Sequence, residues 1–278
     1  MLADALRFIR FSHTVFALPF ALGAMLVAAN GWPAPRVVLL ILLAMVFART
    51  AAMAFNRVAD WEMDRRNPRT ANRHRLMRKS AAIGLLIACS LGFIGTTWFI
   101  NFLCFALSPV ALVIVFFYSL TKRFTHTAQF FLGLALSVSP MGAWFAVTGE
   151  WSWIPAWLAA GVLVWVAGFD LIYATQDYEF DRQEGLHSMV VKLGIPRALN
   201  LAKALHVLAL IYFCVFGWLA ALQWVYALAM VLIGGALVVE HRSAARLDVD
   251  GINRAFFVTN AFVGGIFLVG VASAVFLG

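Results

Sequence analysis

The sequence predicts an all-α membrane protein, a bundle of nine transmembrane helices, on three observations. Of 278 residues, 63% are hydrophobic and 12% are charged, where soluble domains carry about 25% charged residues. The apolar residues fall into nine runs, most close to the roughly 20 residues that a bilayer-crossing helix needs. The cations sit between those runs and on one side of them, so the +8 net charge reads as a topology signal and not as a surface for nucleic acid. The lipid bilayer is the expected partner of most of the chain, which is read as a single domain over residues 1–278.

The first run spans Phe11 to Ala29, behind Arg7 and Arg10. It is longer than a cleaved leader's apolar core and more runs follow, so it is read as a span. It carries His13 and Pro19, and Pro19 predicts a kink repaired by neighbouring helices. The second span, Val37 to Asn56, carries Arg49, and an ionisable residue inside a span is a functional candidate by default. Pro68 ends the helical pattern, inside a basic run from Arg65 to Lys79 that anchors topology and is equally suited to a diphosphate. Spans three and four, Ala81 to Phe99 and Phe102 to Leu120, are separated by almost no loop. The fourth runs out in Tyr118-Ser119-Leu120-Thr121-Lys122-Arg123, and the fifth covers Ala128 to Val147. The sixth, Ile154 to Thr175, holds Asp170 near its end and is expected to open into a loop through Arg197, with Gly185, His187, Gly194 and Pro196 as breakers. The last three spans are Leu199 to Ala221, Trp224 to Val239 and Ala255 to Phe276. Cys89, Cys104 and Cys214 all lie in apolar runs and read as small buried hydrophobes.

Nine spans place the N-terminus and the loops after spans two, four, six and eight on one side. Every Lys and Arg except Arg36 and Arg49 falls there, which makes that side cytosolic. The same side carries one pattern twice. Asp60-Trp61-Glu62-Met63-Asp64-Arg65 and Asp177-Tyr178-Glu179-Phe180-Asp181-Arg182 share the order acid, aromatic, Glu, apolar, acid, Arg. On a helix, Arg49, Asn56, Asp60 and Asp64 fall within about 60° of one another, and Asp170, Tyr173, Asp177 and Asp181 likewise share a face. The two stretches, at 56–64 and 170–181, read as related halves that face each other.

Paired carboxylates four residues apart, backed by Asn56, suit Mg²⁺, which takes oxygen ligands and keeps positions for substrate phosphates. Beside a basic loop and Lys122-Arg123, they suit a diphosphate together with its metal. At a membrane face, the diphosphate that fits has an apolar tail lying among the spans, where some of the 25 Phe would shield a cationic intermediate. A cation-coupled transporter also uses acidic residues within spans. That reading gives no role to Asn56 or Lys122-Arg123, and it places acids at mid-membrane, not at one face.

At these residues the sequence resembles the UbiA superfamily of intramembrane aromatic prenyltransferases. Asn56, Asp60 and Asp64 match its N-x-x-x-D-x-x-x-D motif, followed by Arg65 and Asn67-Pro68-Arg69-Thr70. Asp170, Tyr173, Ala174, Asp177 and Asp181 match its second motif, Tyr118 to Arg123 matches its Y-x-x-x-K-R segment, and Arg49 matches an arginine ahead of the first motif. The resemblance covers essentially the whole chain. It implies a central cavity accessible from the lipid, Mg²⁺ held by Asp60, Asp64, Asp177 and Asp181 with Asn56, and transfer of a polyprenyl group from polyprenyl diphosphate to a small aromatic acceptor in the bacterial inner membrane, at its cytosolic face. Lys122, Arg123, Arg65 and Arg69 would neutralise the leaving diphosphate. Asp170 would support the acceptor hydroxyl or take its proton, and Arg49, His13 and Arg10 would meet an acceptor carboxylate, with Tyr118 and Tyr173 in the substrate site. The subgroup resembled is 4-hydroxybenzoate polyprenyltransferase. The stretches around His13 and His187 are similar instead to a branch acting on 1,4-dihydroxy-6-naphthoate in menaquinone synthesis by the futalosine route. One segment departs from the family: Asn72 to Ser80 has neither the Pro nor the Gly usual there, which implies a different turn.

Overall fold

The computed structural model describes residues 16–66, 76–245, 252 and 255–277. Among the described residues all regular structure is helical. α1 (Leu18–Ala29), α2 (Pro35–Ala59) and a short α3 (Trp61–Arg66) come first, then α4 (Lys79–Ile100), α5 (Phe102–Thr121) and α6 (Ala128–Thr148). α7 (Trp153–Ala174) runs through a 3₁₀ turn at Thr175–Asp177 into α8 (Tyr178–Gln183), followed by α9 (Met189–Leu193), α10 (Ile195–Leu219) and α11 (Trp224–Ala244). A π turn at Ala255–Thr259 leads into α12 (Asn260–Leu277). Eight of these helices are long and apolar enough to cross a membrane, and α1 is a ninth, shorter apolar helix.

The helix ends follow local chemistry. Asn101 is the single residue between α4 and α5, and its side-chain oxygen accepts the Cys104 N–H at 2.8 Å, capping α5. The Ser152 hydroxyl caps α7 in the same way, as short polar side chains do at N-termini. Pro19 lies in the first turn of α1, where its missing N–H leaves no hydrogen bond unmade. It therefore starts the described helix and does not kink it. Pro196 similarly occupies the first turn of α10. The second motif itself runs into α8, and of the loop expected after it Met189–Leu193 form α9, while Gly185 and Gly194 take positive φ at turns on either side.

α7 is the central helix. It is buried along most of its length and packs against α6 on one side and α10 on the other. Its contact with α6 depends on Gly133, where a Cβ would stand 2.2 Å from the Leu163 carbonyl oxygen. Around α7 lie Trp165, Phe20, Phe213, Phe216 and Phe267, all fully buried, within one core that draws mainly on α1, α6, α7, α10, α11 and α12. α2, α4 and α5 form a second group, with α2 packed on both of its companions and α5 joining it to α6. A small separate cluster around Ala82 packs Met53, Val58, Trp61 and Leu85 within this group. Cys89 and Cys104 are buried as expected, whereas Cys214 is exposed on α10.

Candidate active site

α2 and α7 do not pack closely on each other; a cavity of about 530 Å³ lies between them, walled also by α4, α5 and α6 and by Phe16 and Ala17 just ahead of α1. Arg49, Asn56, Asp60 and Asp64 line it from one side, Asp170, Tyr173, Asp177 and Asp181 from the other, and Tyr118 and Lys122 from α5 and its end.

On the α2 side the backbone stays nearly helical across the break. The Asp60 N–H donates to the Asn56 carbonyl at 2.9 Å, and the Asp64 N–H donates to the Asp60 carbonyl at 2.7 Å. The Asn56–Asp60–Asp64 face therefore survives the passage from α2 into α3. Asn56 donates through Nδ2 to Asp60 Oδ2 at 3.2 Å and to the Ser119 hydroxyl at 3.3 Å. Asp60 Oδ1 also lies 3.5 Å from Arg123 Nη2, which donates to the Ala59 carbonyl at 2.6 Å. Burial pushes the Asp60 carboxyl above its ordinary value and the charge of Asp64 adds to this, while Lys122 and Arg123 oppose it.

On the α7 side, the 3₁₀ turn tightens the chain between Ala174 and Tyr178, and Asp177 and Asp181 are both buried. Lys122 faces them. Burial alone would depress its ammonium, and Asp181, Asp170, Asp177 and Asp60 together outweigh that, leaving its pKa above the ordinary lysine value. The two sides are tied at the mouth. Arg66 Nη1 lies 3.0 Å from Glu184 Oε2, the His187 N–H donates to the Lys122 carbonyl at 3.2 Å, and the rings of His126 and His187 lie 4.9 Å apart.

One expectation changes. Arg65 points away from the cavity to Glu62, 3.4 Å off on the exposed face of α3, because one residue past Asp64 lies about 100° round the helix. Arg10, His13 and Arg69 lie outside the described residues. The sequence reading also passed over Arg57. Only 5% of it is exposed, and its Nη1 stands 3.2 Å from Asp64 Oδ2. The seven-residue spacing from Arg57 to Asp64 is two helical turns and was the available signal. Phe180 and Phe256 were missed as well; both line the cavity, and Phe256 stacks on Tyr173 at 4.3 Å between centroids.

Five carboxylates face four cations here: Arg49, Arg57, Lys122 and Arg123. A bare diphosphate entering this space would meet repulsion; one that brings divalent cations would not. Among the described residues no three carboxylate, imidazole or thiol side chains converge tightly enough to hold a metal by themselves. The donors are oxygens, on opposite walls, with room between them for phosphate oxygens. That set fits Mg²⁺ shared with a substrate.

Residues 17–269 match the model of the UbiA prenyltransferase family. The chain belongs to that family. It is a transferase and an integral membrane protein. Among its relatives, the 4-hydroxybenzoate octaprenyltransferase of Hydrogenovibrio crunogenus is 31% identical over 258 residues, covering 90% of this chain and 88% of that one. The apo structure of a UbiA homologue from Aeropyrum pernix K1 superposes with a TM-score of 0.84 at 29% identity, over 93% of this chain and 96% of the other. A UbiA homologue from Archaeoglobus fulgidus, solved with GPP and Mg²⁺, shares the fold with a TM-score of 0.74 at 20% identity, over 98% and 99% of the two chains. The UbiA fold is thus the frame on which the two acidic motifs face each other.

Proposed function

We propose that this UbiA-family chain is an Mg²⁺-dependent 4-hydroxybenzoate polyprenyltransferase of quinone biosynthesis, working at the cytosolic face of a bacterial inner membrane. The observation that carries the reading is the pair of acidic motifs meeting across one cavity, with Lys122 between them and apolar walls beyond. The relative named 4-hydroxybenzoate octaprenyltransferase and the GPP and Mg²⁺ bound by a structural neighbour support it. The placing of the cations supports the side of the membrane.

Asp60, Asp64, Asp177 and Asp181, with Asn56, would hold Mg²⁺ against the diphosphate. When bound, Mg²⁺ supplies Lewis-acid pull on the leaving oxygen. Lys122 and Arg123 offset the negative charge that grows on the diphosphate as the allylic C–O bond breaks, a form of stabilisation that is usually the largest catalytic contribution. Phe256, Tyr173 and Phe180 present ring faces to the allylic cation. A ring carbon beside the phenolic hydroxyl attacks that cation, forming the C–C bond. Asp170, which lines the cavity from α7, would support the acceptor hydroxyl or take the proton the ring loses. Arg49, deeper on α2, lines the same cavity and would meet the acceptor carboxylate.

The deciding experiment supplies membranes with farnesyl diphosphate, Mg²⁺ and either 4-hydroxybenzoate or 1,4-dihydroxy-6-naphthoate, and reads products by mass spectrometry. Prenylated 4-hydroxybenzoate that disappears on adding EDTA is the expected result. Asp60→Asn and Asp177→Asn should each abolish it, and retained turnover in both sinks the assignment. Prenylation of the naphthoate alone moves the enzyme to menaquinone synthesis, the reading favoured by the stretch from Gln176 to Ser188. Ion-driven uptake into vesicles without any prenylated product would make the protein a transporter.

A further inference from the structure

A second polar cluster lies outside the cavity, and the chemistry described so far uses none of it. Glu240 on α11 and Asn260 at the start of α12 are fully buried, and His206 on α10 is 2% exposed. None of the three lines the cavity. A carboxyl group is expensive to keep in an apolar core, and an ionisable residue in a span is a functional candidate by default. Polar side chains also act as glue between spanning helices, but the bonds of this cluster lead to one place.

Asn260 Nδ2 donates to Glu240 Oε1 at 3.4 Å and to the Phe256 carbonyl at 2.8 Å. That carbonyl belongs to the π turn at Ala255–Thr259. Phe256 is the ring that lines the cavity and stacks on Tyr173. The other end of the cluster reaches α7, the helix of Tyr173. His206 Nε2 donates to the Trp165 carbonyl at 3.2 Å, since a carbonyl only accepts, and its Nδ1 stands 3.0 Å from His241 Nε2 and 3.6 Å from Glu240 Oε2. The cluster therefore touches the backbone of both segments whose rings meet. Register matters at that meeting. A π turn holds an extra residue and recurs at functional sites, side chains step about 100° round a helix per residue, and the next two residues, Phe257 and Val258, are exposed. A slip of one residue would swing the Phe256 ring off Tyr173.

Resting on the reading above, we infer that Glu240 and Asn260 are positioning residues: they hold the π turn in the register that lays Phe256 on Tyr173, and so decide how the allylic cation divides between acceptor and water. Once the diphosphate has left, the acceptor ring takes the cation through a C–C bond and loses a proton. Water takes it through a C–O bond, loses a proton and leaves the prenyl alcohol. A ring face against the cation stabilises it and shuts water out on that side.

The ratio of prenylated acceptor to prenyl alcohol is insensitive to how much protein folds. With farnesyl diphosphate, Mg²⁺ and 4-hydroxybenzoate, Phe256→Leu, Asn260→Leu and Glu240→Leu should each lower it about tenfold. Glu240→Gln, which keeps an oxygen for Asn260, should leave it near that of the unaltered chain. Adding Asn260→Leu to Phe256→Leu should lower it no further, whereas independent effects would add. Unchanged ratios in Asn260→Leu and Glu240→Leu, or full additivity in the double variant, overturn the inference. A spectroscopic test needs no turnover. 4-Fluorophenylalanine in place of Phe256 reports the Tyr173 ring through its ¹⁹F shift, calibrated with Tyr173→Leu. Asn260→Leu and Glu240→Leu should move the resonance toward the Tyr173→Leu position, and Glu240→Gln should not. A resonance unmoved by both leucine variants overturns the clamp and leaves the reading of the site standing. A resonance that moves in a protein that consumes no diphosphate upholds the clamp and brings down the reading of the site, with the partition that rests on it.

Discussion

Arg57 is held almost dry against Asp64, and removing it takes an ion-pair partner from a carboxylate that lies on one helix face with Asp60. Arg57→Ala is expected to cost roughly 3 kcal/mol of stability, the range for breaking a buried ion pair from one side. Thermal unfolding in detergent would show it, and an unchanged melting temperature would refute the account. The mouth pair of Arg66 and Glu184 is mostly solvated, so Arg66→Ala should change stability by less than about 1 kcal/mol on the same assay. Most of the site's polar residues could be read in the sequence, because a carboxylate or Asn on an apolar helix has few structural excuses and helical spacing assigns it a face. Arg57 escaped because a cation beside a basic loop looks like a topology anchor; only its partner, two turns on, shows otherwise. Phe256 and Phe180 escaped because nothing in a chain with 25 Phe distinguishes a ring that lines the cavity from the others.

At the level of the helices, the close approach of α6 and α7 turns on Gly133. Gly133→Ala would drive its Cβ into the Leu163 carbonyl, backbone that cannot swing aside, and is expected to destabilise by about 1–3 kcal/mol as overpacking does. Gly84 on α4 has nothing within 4 Å of such a Cβ, so Gly84→Ala should be neutral or slightly stabilising. Equal effects of the two on the melting temperature would contradict this packing. The approximate bounds of the spanning helices were legible from hydropathy, since each span needs a minimum apolar length; among the described residues eight of the nine expected spans are met by helices of crossing length and the first by the shorter α1. Hydropathy failed where local geometry decides. It took Pro19 and Pro196 for interruptions when each sits in a first helical turn, and it did not register the 3₁₀ turn that brings Asp177 round. Nor does it separate α7, enclosed by protein, from α4, turned mostly outward, because lipid and protein interior ask for the same residues.

Across the whole molecule the two membrane faces are unlike. Among the described residues the carboxylates of the site and most of the cations occupy one end of the bundle, while the exposed Trp32, Trp151, Trp153, Trp218 and Trp224 gather at the ends of α1, α6, α10 and their partners on the other, as interfacial anchors do. The division of the helices into two groups has a further effect. The first acidic motif stands on α2, in the group with the smaller core, and the second stands on α7, in the larger one. Among the described residues the gap at the mouth is spanned by the Arg66–Glu184 ion pair, the hydrogen bond from the His187 N–H to the Lys122 carbonyl and the contact of the His126 and His187 rings. A prenyl diphosphate with its metal would therefore be a keystone as well as a reactant. Its binding free energy would be spent partly on locking two bodies into one. At a concentration 100 times its dissociation constant, an unreactive diphosphate analogue with Mg²⁺ should stabilise the fold by about 2.7 kcal/mol. Amide exchange should slow most at the facing ends of α2 and α8, and a melting temperature unmoved by the pair would refute this. Product release then becomes the step at which the arch comes apart, and the departing diphosphate is what loosens it.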